Sequence, residues 1–203
     1  MRKTFTLNFI ALATVAAFTA LGIGTAQAQQ FARANISIEK TGEAAGGLTC
    51  SWRETGLGAY SQISYSCGAT DLGVLSQCFY KNKPVGNSTP TLSVFHNVTS
   101  NEEGGGGEEG GFIANNSGAI NGSLTVEVPE SEGGGGEACA EPAEEVVTAV
   151  RWCNASLADT TNNITGASVA ELFLQLERNA TGTIPSCAEL ATMPGSGGGE
   201  GGG

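Results

Sequence analysis

From residue 46 to 80 the chain reads GGLTCSWRETGLGAYSQISYSCGATDLGVLSQCFY, with apolar and polar side chains alternating over much of its length. Leu48, Cys50 and Trp52 fall on one face of an extended segment, and Thr49, Ser51 and Arg53 on the other. After a glycine-containing turn at 56–59 the alternation resumes, with Ile63, Tyr65 and Cys67 on one side and Ser64 and Ser66 on the other. A second turn around 71–73 leads to a third run that ends with Cys78 and Tyr80. Two hairpins in succession predict an antiparallel meander. Cys50 and Cys67 lie opposite each other in it if the first turn is centred between Gly58 and Ala59. A bridge there stabilises the fold by about 3 kcal/mol in the chain-entropy model.

The same period recurs elsewhere. A short strand is predicted at 35–40, followed by a small, glycine-rich connection. Residues 81–90 hold two prolines and read as a loop. In 91–99, Leu92, Val94, His96 and Val98 share a face, which casts His96, the only histidine, as a neutral, hydrogen-bonded core residue. Residues 120–128 alternate strongly: Ile120, Gly122, Leu124, Val126 and Val128 inward, Asn121, Ser123, Thr125 and Glu127 outward. Cys139 opens a proline-containing turn, 145–153 is another strand with Trp152 near its end, and 159–166 (DTTNNITG) is dense in turn formers. Residues 168–178 fit a helix begun by a Ser168–Glu171 capping box, and fit a strand equally well. The all-β setting selects the strand.

The ends and the composition narrow the class. Arg2 and Lys3, an apolar run over 7–23 and the small-x-small Ala26-Gln27-Ala28 predict a bacterial-style export signal at 1–28. No cysteine stands directly after the cleavage point and no later apolar run suits a bilayer span. The expectation is a secreted or periplasmic protein without membrane insertion. About 175 residues then remain, enough for a single domain over 29–194. Cleavage leaves 7 cationic and 20 acidic side chains, a net charge of −13, which argues against nucleic acid or anionic membranes as partners. Cys50, Cys67, Cys78, Cys139, Cys153 and Cys187 form an even set suited to three disulfides, with 15 connectivities open. Zinc is disfavoured, since there is no Cys-x-x-Cys pair and His96 lies far from any such spacing.

Three glycine/glutamate tracts interrupt or follow the strands: 101–111 (NEEGGGGEEGG), 130–137 (ESEGGGGE) and the tail 195–203 (GSGGGEGGG). Glycine entropy and glutamate repulsion predict disordered insertions and a disordered tail. Their carboxylates raise loose calcium binding as an alternative, but no tract contains aspartate or a rigid calcium-loop spacing. Eight Asn-x-Ser/Thr sequons, at Asn35, Asn87, Asn97, Asn115, Asn121, Asn154, Asn163 and Asn179, read as a surface rich in small polar side chains.

Candidate chemistry is sparse. Trp52, Tyr60, Tyr65, Tyr80 and Trp152 could stack on sugar rings, but Trp52 and Tyr65 share the cysteine-bearing face and read as core. Tyr60, beside the GLGA turn, is the candidate ligand contact. A secreted hydrolase would need His96 as its base, yet no GxSxG element accompanies it, and bridged cysteines supply no thiolate. Glu54 could serve one half of a glycosidase pair, but no second carboxyl is evident. Arg53 and Glu54 read instead as a cross-strand ion pair worth under about 1 kcal/mol. No catalytic residue, cofactor or metal ligand is assigned.

Gly47-Leu48-x-Cys50-x-Trp52-x-Glu54-x-Gly56-Leu57-Gly58, then Tyr65-x-Cys67, Cys78, GAINGSLTV at 118–126, Cys139 to Pro142 and DTTN at 159–162 resemble a group of uncharacterised secreted bacterial proteins with a GLxCxWxExGLG…YxC…C…GSLTV…C pattern. The resemblance spans about 46–164 and implies structural roles rather than an activity. Cys153 and Cys187 fall outside the shared cysteines, so they pair with each other in the implied scheme, beside Cys50–Cys67 and Cys78–Cys139. The first two pairs could exchange partners. The expected fold is an all-β, disulfide-stapled antiparallel β-sandwich of immunoglobulin-like architecture. The expected role is a non-enzymatic extracellular or periplasmic module, adhesive or carbohydrate-binding, with a glycan or surface protein as partner.

Overall fold

The computed structural model describes residues 28–42, 44–86, 88–100, 111–129, 139–178 and 180–195. The signal segment up to residue 27, nearly all of the three glycine/glutamate tracts, and the sequons at Asn87 and Asn179 lie outside the described residues.

The described residues lie mostly in antiparallel strands: β1 (Gln30–Ile38), β2 (Leu48–Thr55), β3 (Gln62–Ile63), β4 (Tyr65–Tyr80), β5 (Lys83–Pro84), β6 (Thr91–Ser100), β7 (Phe112–Ile113), β8 (Ile120–Val126), β9 (Glu144–Asp159) and β10 (Ile164–Gln175). One helical turn, α1 (Cys187–Leu190), follows. β1, β2 and β8 form one sheet in that order. β10, β9, β4 and β5 form a second, in which β6 also pairs with β4, and β3 and β7 make a small ladder of their own. Residues 168–175 belong to β10, because Leu172 and Leu174 pair with Trp152 and Val150 of β9.

The meander is corrected. β2 pairs with β1 and β8, never with β4. β4 runs unbroken through 71–73, where the sequence pattern placed a turn. Inward-facing positions change parity there instead. Tyr65, Cys67 and Ala69 enter the main core before Thr70, and Leu72 and Val74 enter it afterwards. The same switch occurs beside Thr70 in β6, between Phe95 and Val98, and in β9, between Trp152 and Ala155. Asn97 and Asn154, opposite Thr70 on either side, both take left-handed backbone (φ 53° and 52°), a conformation asparagine tolerates better than most residues.

The main core takes side chains from both large sheets, among them Leu48, Cys50, Trp52, Leu124, Tyr65, Val150 and Trp152. Gly122 lies beneath the Trp52 indole, where a Cβ would sit 2.4 Å from the ring. The Trp152 Nε1–H donates to the Gly46 carbonyl at 2.8 Å. A second cluster, Leu75, Val94, Ala149, Cys153, Ile184 and Leu190, lies where the C-terminal segment crosses the other face of the five-stranded sheet.

All six cysteines are bridged, as Cys50–Cys67, Cys78–Cys139 and Cys153–Cys187. The first joins β2 to β4, and hence one large sheet to the other, rather than two neighbouring strands of a hairpin. Three bridges fit an oxidising compartment. Among the described residues no helix is long and apolar enough to cross a membrane.

Candidate functional site

Tyr60 stands on the loop between β2 and β3. Its backbone N–H donates to the Ala114 carbonyl at 3.1 Å, and Ser61 closes the turn with two hydrogen bonds to the Gly58 carbonyl. Tyr60 adopts left-handed backbone (φ 59°) and is 71% exposed. Ile113, paired with Gln62 across the small ladder, is 69% exposed at the same end of the molecule. Tyr80 is half-exposed, with the Lys81 ammonium over its ring, and it borders a cleft of about 730 Å³ that Glu144, Glu177, Asn82 and Pro142 also line. Trp52, Tyr65 and Trp152 are buried.

His96 does not belong to the core. Its ring is a third exposed; Nδ1 lies 2.6 Å from the Asp71 carboxylate and Nε2 lies 3.0 Å from the Met193 carbonyl. Thr70 donates to Asp71 at 2.8 Å and accepts from the Asn154 amide at 3.0 Å, extending the network across β4 and β9. The Asp71 hydrogen bond, followed by that to Met193, raises the affinity of the ring for a proton, and burial opposes them. Both ring nitrogens are engaged by acceptors, so neither is free to take a proton from a substrate.

The expected Arg53–Glu54 ion pair is absent, because neighbours along a strand point to opposite faces. Arg53 is exposed, while Glu54 is fully buried on the Trp52 side of β2. Tyr65, packed against Trp52 with ring centroids 4.4 Å apart and the planes tilted by 42°, donates its hydroxyl to Glu54 Oε2 at 2.8 Å. Asp159, also fully buried, acts on the same carboxyl from the end of β9. Its own oxygens accept from the Asn162 backbone N–H at 2.9 Å and from the Asn162 side-chain amide at 2.7 Å. Burial raises the Glu54 pKa above its ordinary value; the Tyr65 hydrogen bond opposes this, and Asp159 adds to it. Burial, then the Glu54 hydrogen bond, pushes the Tyr65 phenol up as well. A second carboxyl beside Glu54 was not evident from sequence, since the two are far apart along the chain. The available signal was parity: Glu54 shares the face of Cys50 and Trp52.

Among the described residues no group of three or more His, Cys, Asp or Glu side chains could hold a metal ion. All six described sequon asparagines are exposed. No family model matches the chain, and no curated protein or solved structure does.

Proposed function

We propose that the chain is a non-enzymatic extracellular or periplasmic module, of β-sandwich and immunoglobulin-like architecture, whose Tyr60-bearing end contacts a glycan on a neighbouring surface. The observation that carries this reading is the presentation of Tyr60. Left-handed backbone is costly for an aromatic residue, and the Ala114 carbonyl and the Ser61–Gly58 turn fix it there with the ring in solvent. An exposed aromatic ring suits stacking on a pyranose face. The main core drawn from both large sheets and the sheet-to-sheet bridge support the sandwich reading. The engaged ring of His96 supports a role other than hydrolysis.

A glycan array probed with the wild type and with Tyr60→Ala tests the reading. Wild type is expected to bind at least one glycan class, and the substitution to weaken that binding roughly two- to tenfold, in line with the loss of about 0.5–1.5 kcal/mol of stacking. Matching blank arrays for the two proteins would remove it.

A further inference from the structure

We propose that Glu54 is a buried proton site: its carboxyl stays protonated at neutral pH and donates through Oε1 to Asp159, so that one proton helps tie the two large sheets together. The inference stands apart from the glycan reading. Glu54 lies on β2 of the three-stranded sheet, whereas Tyr65 and Asp159 belong to β4 and β9 of the five-stranded sheet. All three side chains are fully buried.

The placement of the proton follows from counting donors. Glu54 Oε2 receives the Tyr65 hydroxyl, but Oε1 is buried and receives nothing. A buried carboxylate oxygen without a donor is costly, and a second carboxylate beside it makes matters worse. A hydroxyl at Oε1 reverses both problems, because it donates where an anion would repel. Asp159 is the natural acceptor, since Asn162 already donates to each of its oxygens and leaves them facing Glu54 as acceptors only.

Among the described residues no cation acts on Glu54. The cross-strand partners of Glu54 are Phe31 on β1 and Ile120 on β8, both apolar. Arg53, adjacent on β2, is exposed on the opposite face. Tyr65 from β4 and Asp159 from β9 are the titratable groups that act on Glu54. Losing the proton therefore leaves two carboxylates in the core with no counter-charge, and separation of β2 from β4 and β9 relieves them.

Infrared spectroscopy of the folded protein and unfolding followed from pH 5 upward, on wild type, Glu54→Gln and Asp159→Asn, test the proposal. Wild type is expected to show the carbonyl band of a protonated carboxylic acid at pH 7, and Glu54→Gln, which keeps a donor toward Asp159, to lose it. Relative to Glu54→Gln, the wild-type unfolding constant should rise about tenfold per pH unit above the ordinary carboxyl value of 4.5, until the folded Glu54 itself titrates. The sign follows because the folded chain retains a proton that the unfolded chain releases. Asp159→Asn supplies an amide donor and removes the repulsion, so its band at pH 7 should vanish. Absence of the band in wild type, or a flat ratio of unfolding constants, would overturn the proposal. Persistence of the band in Asp159→Asn would overturn the assignment of Asp159 as acceptor. If Glu54→Gln does not fold, the wild-type band decides alone: it must be present at pH 7 and fade on alkaline titration before unfolding.

Discussion

His96 shows how two hydrogen bonds can set a charge. A neutral imidazole has one N–H and can satisfy one acceptor, whereas Asp71 and the Met193 carbonyl face both nitrogens. The protonated ring satisfies both, and its pKa rises above the ordinary 6.5. A histidine raised by folding contributes stability that is complete below 6.5 and is lost as pH climbs through the folded value. His96→Gln should therefore be less stable than wild type at pH 6, with the gap narrowing as pH rises. Since His96 is the only histidine, its ring resonances report its titration directly. A midpoint at or below 6.5 by nuclear magnetic resonance would contradict this account, and Asp71→Asn should lower the midpoint. The sequence placed His96 in the core because it continues the stripe of Leu92 and Val94. That stripe does lead into the second cluster, but at His96 the C-terminal segment supplies a carbonyl instead of an apolar cover.

At the level of elements, most strands were legible because alternation survives within short runs. Residues 120–126 needed only the period of two, whereas 91–100 was legible as a strand although its inward parity also switches, between Phe95 and Val98. The long strand β4 was not legible as one element. Its inward parity changes at Thr70, and Asp71 and Gly73, typical turn formers, follow at once. Their reasons are tertiary. Asp71 pairs with His96, and Gly73 admits the C-terminal segment, since a Cβ there would lie 2.7 Å from Ile184. No local signal separates such a residue from a turn glycine. The C-terminal segment is held by Cys153–Cys187, by Gln77 hydrogen bonds to Thr181 and by the His96 contact. The bridge closes a separation of 34 residues, so replacing both cysteines with serine should cost up to about 4 kcal/mol. Amide exchange should speed up first around Leu190 and Ala149, ahead of Leu48 and Leu124 in the main core. Uniform loss of protection across both clusters would instead make the segment part of one cooperative unit with the sheets.

The whole molecule combines a well-joined centre with an acidic surface. Disulfide, aromatic contact and the Glu54–Tyr65 hydrogen bond link β2 to β4 at positions that the sequence motif contains, yet the second carboxyl that acts on Glu54, Asp159, comes from the end of β9. Two segments about a hundred residues apart give no local sign of such a meeting, which is why the candidate site was legible at exposed Tyr60 and not at Glu54. Charge, by contrast, is additive and can be read directly. The chain carries −11, and only His96–Asp71 and Arg151–Glu171 form ion pairs among the described residues. Most of the described acids therefore have no ion-pair partner among the described residues, and compaction raises the repulsion that the net charge creates. Sodium chloride at 0.15 M shortens the screening length to about 8 Å, which should relieve this repulsion more than it weakens two partly exposed pairs. The melting temperature should thus rise between near-zero and 0.15 M salt at pH 7, as scanning fluorimetry would record. A fall over that range would mean that the two ion pairs outweigh the net repulsion, and that stability is governed by local pairing rather than by total charge.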